Sequence, residues 1–310
     1  MRSAQNSMRA FVLSLALVIG ASAPAARAQI NPQIVGGTPT TAEARPYNVV
    51  LATRQGVFCG GSIIKPDRIL TAQHCTFDPD GIPFRASDLV VVAGLTTLSE
   101  RGQSRAVASI ERVPGFDIFG FNQRGKDLAV LTLTSPLTLG PRVQVIDYAF
   151  TGMDGRLERE GTPVTVAGFG STRFGGPGSD RLLEVTVPVA NRRAASQAYR
   201  FPIRQDFLPA GGGRRDSCQG DSGSALVASR PDGSLVQVGL VSFGEGCGMP
   251  GFPGIYTRVR KFRAFIDRNA GRPMSLSDLS SEEAQRLDSE LSGELREIEQ
   301  GRIPANAPMN

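Results

Sequence analysis

The chain has 310 residues, 40% hydrophobic and 20% charged, so it can bury a core and is not a disordered composition. Its 34 Lys and Arg against 29 Asp and Glu leave +5 at pH 7, an excess too thin to mark a nucleic-acid-binding protein. A single His excludes a multi-histidine metal centre, and 36 Gly with 21 Pro favour the many turns of an all-β chain. The length fits one large domain or two of average size.

The first 28 residues read as a secretory signal. Arg2 and Arg9 form a positive front, residues 10–21 an apolar run, and Ala26-Arg27-Ala28 a small-x-small cleavage site. That run is shorter than the ~20 residues a spanning helix needs, and no other stretch is long enough, so no membrane span is expected. Residues 29–33 would then remain as a short propeptide. The expected destination is extracellular or periplasmic, an oxidising compartment in which four Cys make two disulfides. Spacing alone leaves all three pairings open.

Short apolar or alternating runs follow at 57–64, 69–72, 89–94, 128–133, 163–168, 182–189, 235–243 and 255–259. Gly, Pro, Asp and Asn punctuate them, so they are predicted strands of a barrel or sandwich. Residues 259–269 carry Phe262, Phe265 and Ile266 at helical spacing and predict a closing helix. Residues 270–310 form an extension. Within it, 276–300 has Ser280-Ser281 before Glu282-Glu283, then Ala284, Leu287, Leu291, Leu295 and Ile298 along one helical face. Four Arg and eight Asp or Glu make residues 271–310 net −4, an acidic tail on a mildly basic body.

Three motifs carry chemistry. Leu70-Thr71-Ala72-Gln73-His74-Cys75 surrounds the one His. Lys126-Asp127-Leu128-Ala129-Val130-Leu131 places an acid before an apolar strand. Asp216-Ser217-Cys218-Gln219-Gly220-Asp221-Ser222-Gly223 sets a Ser among glycines. A hydroxyl is a weak nucleophile at neutral pH: it needs a base beside it, and the base needs a group that fixes its tautomer. Ser, His and Asp supply those roles. Each alone is weak evidence, since a His beside a Cys, or an Asp before a strand, is commonly structural. A glycine two residues before the Ser adds something, because it lets backbone N–H groups approach a developing oxyanion.

Together these stretches resemble the trypsin-like (chymotrypsin-family) serine proteases over residues 34–269. Ile34-Val35-Gly36-Gly37 resembles the family's new N-terminus after zymogen cleavage. Cys59-Gly60-Gly61-Ser62 precedes the His motif, and Val241-Ser242-Phe243-Gly244 and Pro253-Gly254-Ile255-Tyr256-Thr257 are similar to its pocket walls. The resemblance implies two six-stranded antiparallel β-barrels, about 34–146 and 147–258, with the active site between them and a C-terminal helix. It implies a catalytic triad of His74, Asp127 and Ser222, and an oxyanion hole from the N–H groups of Gly220 and Ser222. Asp216 would be the pocket floor for Arg or Lys, with Ser217, Ser242, Gly244 and Gly254 contacting substrate. It implies an activating pair between Ile34 and Asp221, disulfides Cys59–Cys75 and Cys218–Cys247, no metal and no cofactor.

The implied activity is endopeptidase cleavage through an acyl-enzyme. The implied partners are protein or peptide substrates, protein protease inhibitors and an activating protease, with the chain itself a monomer. A non-catalytic binding protein on the same fold is the rival reading, and an intact triad argues against it. Four departures stand out. Gln73 replaces the family's usual Ala, and Pro209-Ala210-Gly211 stands where a third disulfide is common. Phe169 and Phe243 replace tryptophans. Gln33, not a basic residue, precedes Ile34, so an enzyme cutting after Arg or Lys would not activate itself.

Overall fold

A computed structural model describes residues 34–120, 125–150 and 153–270; the expected signal, propeptide and extension lie outside the described residues. In chain order the strands are β1 (Thr38–Pro39), β2 (Asn48–Thr53), β3 (Gly56–Lys65), β4 (Arg68–Thr71), β5 (Val90–Ala93), β6 (Gln103–Arg112) and β7 (Ala129–Leu133). They continue with β8 (Asp147–Tyr148), β9 (Pro163–Gly168), β10 (Leu183–Pro188), β11 (Phe207–Ala210), β12 (Ala225–Ser229), β13 (Leu235–Phe243) and β14 (Gly254–Arg258). Two α-helices are described, α1 (Arg192–Tyr199) and α2 (Arg263–Ala270).

The first barrel closes in the order β2-β3-β4-β7-β6-β5, every pair antiparallel. The second sheet runs β10-β9-β12-β13-β14-β11 through its six longer strands. A bridge between Val189 and Ala210 brings its last strand back to its first, reinforced by Ala190 N–H to Pro209 O and Gly211 N–H to Pro188 O, both 2.8 Å. The ring therefore closes by a bridge and not by a full ladder. Two short strands are added to it: β1 beside β10, and β8 parallel to β13. The N-terminal segment thus packs on the second barrel although it precedes the first in sequence, with Ile34 fully buried in that barrel's core.

Each predicted run coincides with a strand within one or two residues. The clearest is β7, apolar except at the half-buried Thr132 and buried at its other four positions. Leu131 and Leu133 face the first barrel's core beside Leu51, Ile63 and Val91. Leu128 and Val130 face a second cluster with Leu70, Leu240 and Ile266, which joins both barrels to α2. The closing helix starts as a 3-10 turn, Val259–Phe262, before α2.

β2 and β12, short buried apolar runs, were not among the predicted strands; for three further unpredicted elements there are physical reasons. Only Val107 of β6 is buried, so its sequence lacks an apolar signature. β11 contains Pro209, a residue that argues against a strand in sequence. α1 is capped by the Asn191 side chain, which accepts Ala194 N–H at 3.0 Å, yet it buries only Ala195 and carries no apolar stripe.

Candidate active site

His74 is carried by a 3-10 turn, Gln73–Thr76, just after β4, and the Cys59–Cys75 disulfide ties that turn to β3. Asp127 lies just before β7. Lys126 takes a left-handed φ of 67°, and Leu128 N–H bonds to Lys126 O at 3.0 Å, so Asp127 is the middle of a tight three-residue turn. That turn aims its carboxylate inward, where it is fully buried. Asp127 Oδ2 lies 2.8 Å from His74 Nδ1, and Oδ1 accepts the His74 backbone N–H at 2.8 Å. Ser242 on β13 donates its hydroxyl to Oδ2 at 2.6 Å, and Thr257 on β14 donates to the Asp127 carbonyl at 2.8 Å. A buried carboxylate costs several kcal/mol unless it is hydrogen-bonded; here three donors from two barrels satisfy it.

Ser222 lies in the loop between Cys218 and β12. Its carbonyl accepts Gly60 N–H from β3 at 2.8 Å, which docks the loop of one barrel on a strand of the other. The Cys75 sulfur lies 3.5 Å from that carbonyl and 3.7 Å from His74 Nε2, so the ring edge and Ser222 flank one disulfide. Gly220 at φ 97° and Gly223 at φ 80° turn the loop through conformations that L side chains disfavour. At Gly223 a Cβ would also sit 2.3 Å from Thr71 Oγ1. Among the described residues neither Gly220 N–H nor Ser222 N–H donates to a protein acceptor. Both donors remain available beside the Ser222 hydroxyl.

Asp216 is buried below this loop. Its Oδ2 accepts Gly248 N–H at 3.0 Å, while Oδ1 has no hydrogen-bond partner among the described residues. Burial pushes its carboxyl up to about 6. A Cβ at Gly254 would stand 2.8 Å from Oδ1, so that glycine keeps the approach open; at Gly244 a Cβ would meet nothing nearer than 3.6 Å. Ser217 Oγ lies 3.2 Å from the Tyr256 hydroxyl, and Cys218–Cys247 closes the wall. Asp216 N–H bonds to Val35 O at 3.1 Å, linking Asp216 to the segment after Ile34.

Asp221 is fully buried and accepts N–H bonds from Gly170 and Cys218, both 2.9 Å. Burial outweighs those bonds and pushes its carboxyl up to about 7. A Cβ at Gly168 or Gly170 would fall within 2.4 Å of this carboxylate, so both positions need glycine. The sequence did not single out Gly168, Gly170 or Gly248, which act through their backbone or lack of a side chain, and it named Thr257 only within a motif, not as a partner of Asp127. It also missed the rings around Phe243, where Tyr199, Phe201 and Phe207 approach within 6.4 Å between centroids. Cys59, His74 and Cys75 bring nitrogen and sulfur atoms within 4.8 Å, but both sulfurs are in the disulfide and offer no thiolate to a metal.

The sequence model of the trypsin family, described as "Trypsin", matches residues 34–266. The chain belongs to the trypsin family. As such it is a serine endopeptidase acting on protein substrates. It is 34% identical over 246 residues to "Trypsin epsilon" of Drosophila erecta, covering 78% of this chain and 89% of that one. It is 34% identical over 231 residues to "Trypsin" of Saccharopolyspora erythraea, covering 73% and 93%, and 32% identical over 241 residues to "Vitellin-degrading protease" of Bombyx mori, covering 76% and 85%. Within the trypsin-family domain no described helix is long and apolar enough to cross a membrane.

The Asp221 environment sets a stability trend in the chain that still carries the residues before Ile34. Its folded pKa of about 7 exceeds the ordinary carboxylate value near 4, so the folded state holds that proton more tightly than the unfolded state. The stability contributed by this proton should be full below about pH 4 and be lost, by on the order of a few kcal/mol, as pH rises to about 7. Denaturant unfolding across this range should show Asp221→Asn removing most of the decline, with Asp216 accounting for a smaller remainder. An equal decline in both proteins would show that Asp221 is not the group responsible.

Proposed function

We propose that the chain is an exported trypsin-like endopeptidase that cuts after Arg or Lys, using Ser222, His74 and Asp127. The observation that carries the reading is the 2.8 Å contact of His74 Nδ1 with the fully buried Asp127. A buried acceptor at Nδ1 favours the tautomer with its proton there, which leaves Nε2 with a lone pair on the side of Ser222. Nε2 takes the Ser222 hydroxyl proton as Oγ bonds to the scissile carbonyl carbon. The carbonyl electron pair moves to oxygen, which receives hydrogen bonds from Gly220 and Ser222 N–H. His74 then gives the proton to the leaving amine as the C–N bond breaks. Water, activated by the same imidazole, releases the acyl group and restores the Ser222 hydroxyl.

Specificity rests on Asp216. Its unpartnered Oδ1 is a buried acceptor that a substrate guanidinium or ammonium would satisfy with a charge-assisted bond. Arg presents a planar fork to a carboxylate and Lys a point charge, so Arg is the better substrate. Ser217, Gly244 and Gly254 shape the pocket, and Ser242 supports both Asp127 and the substrate backbone.

The chain is made as a zymogen. Cleavage before Ile34 creates an ammonium that pairs with Asp221 and holds the pocket through Val35 and Asp216. Gln33 does not fit a carboxylate-floored pocket, so a protease of other specificity performs this cut. Residues 1–28 direct export, to the cell exterior or the periplasm. Residues 270–310 are an additional segment beyond the protease domain.

Ser222→Ala should lower kcat by about 10⁴-fold or more and abolish labelling by an active-site serine phosphonate. Near-normal hydrolysis by that variant would end the proposed mechanism. Asp216→Ser should cut kcat/KM on Arg and Lys peptides by about a hundredfold or more, because the cation is then desolvated without a partner, and affect matched Leu or Phe peptides far less. An unchanged ratio between those peptides would remove Asp216 from the pocket floor. N-terminal sequencing of active enzyme should read Ile-Val-Gly-Gly; full activity with Gln33 still attached would refute the switch.

A further inference from the structure

Arg112 ends β6 in register with Ala129 of β7, two residues after Asp127, and the next residue donates Val113 N–H to Leu128 O at 3.3 Å. Its backbone is therefore part of the strand pair that carries Asp127. Its side chain reaches the other way, into the turn that carries His74. Nε donates to Thr76 Oγ1 at 2.7 Å, and Nη2 donates to Thr76 O and to Phe84 O, both at 3.0 Å. Thr76 passes the contact on, since its hydroxyl donates to Gln73 O at 2.7 Å. The guanidinium also lies 5.2 Å from the centre of the Phe77 ring.

Among the described residues no carboxylate offsets the burial of this guanidinium, and burial alone draws its pKa below the ordinary arginine value. A half-buried cation served by neutral acceptors alone gains less than one with an ion-pair partner. The acceptors it does have all lie at or near the His74 turn. Gln73 and Thr76 are themselves buried, and a 3-10 turn has poorer internal hydrogen bonds than an α-helix, so this turn needs bracing from outside.

We propose that Arg112 is a positioning residue for catalysis: its backbone fixes the Asp127 strand and its guanidinium, through Thr76, fixes the His74 turn, setting the separation of the two. This rests on the triad proposed above. Only an arginine fork spans Thr76 Oγ1, Thr76 O and Phe84 O at once; the single ammonium of Lys cannot hold that geometry.

The test uses the processed full-length enzyme. Small misplacement of a catalytic group costs up to about a hundredfold, so Arg112→Met should lower kcat by roughly tenfold to a hundredfold. KM for an Arg peptide should stay within about twofold, because Asp216 is untouched. Arg112→Lys should recover only part of the loss. Thr76→Val, which keeps the shape and removes the hydroxyl, should reproduce the kcat loss, and Thr76→Ser should recover most of it. The proton on His74 Nδ1, read by NMR in the one-histidine chain, should shift in each impaired variant. A lowered melting temperature with kcat and the Nδ1 proton unchanged would mean that Arg112 only stabilises the barrel and would overturn the proposal. Activity of Thr76→Val equal to that of wild type would do the same. If Ser222→Ala were fully active, the triad itself would have failed, which is a separate outcome.

Discussion

The architecture turns on a single buried carboxylate. Asp127 belongs to the first barrel, yet Ser242 and Thr257, which donate to its side chain and carbonyl, belong to the second. Its remaining donors come from His74, through both the ring and the backbone. Because Asp127 is fully buried, the desolvation penalty makes any loose arrangement of these bonds expensive. The same demand that satisfies the acid therefore locks the two barrels together and orients the imidazole. The apolar cluster of Leu70, Leu128, Val130 and Leu240 lies between the same strands and keeps the setting dry.

The second barrel contributes the rest through backbone geometry. Gly60 N–H holds the Ser222 carbonyl, so the loop bearing the hydroxyl is referenced to the strand whose Cys59 is bonded to Cys75, beside His74. Glycines occur where a carboxylate or a turn demands space: Gly168 and Gly170 around Asp221, Gly254 in front of Asp216. The missing third disulfide has a counterpart in hydrogen bonds. Pro209 and Ala210 sit in β11, which is laddered to β14 and bridged to Val189. The segments beside Gly244 and Gly254 are further held by the Tyr199 hydroxyl, which donates to Pro253 O at 2.8 Å and accepts Glu245 N–H at 3.1 Å.

Much of this was legible in the sequence because buried strands and short motifs announce themselves locally. Runs such as 128–133 and 235–243 are contiguous and mostly apolar, interrupted only by Thr132, Gln237, Gly239 and Ser242, and the motifs around His74 and Ser222 stand in adjacent letters. The half-exposed β6 and the Pro-containing β11 were invisible, since their signal lies in pairing partners far away in the chain. The same applies to the site. His74, Asp127 and Ser222 stand in recognisable motifs, but Thr257 and Gly248 act on acids 130 and 32 residues away, and Arg112 acts on a hydroxyl 36 residues away. Gln73 shows the converse case: it stands out in sequence, and in the structure its buried Oε1 has no hydrogen-bond partner among the described residues.

The tautomer that buried Asp127 is proposed to impose on His74 is directly observable, because the chain has a single histidine. Nitrogen-15 NMR of the processed enzyme, wild type and Asp127→Asn, would report which ring nitrogen carries the proton at neutral pH. The account predicts a proton on Nδ1 in wild type and a shift towards Nε2 in Asp127→Asn, with kcat lower by about four orders of magnitude, the loss that the Ser-His-Asp template shows for a wrong tautomer. The same tautomer in both proteins, or undiminished turnover in the variant, would contradict it.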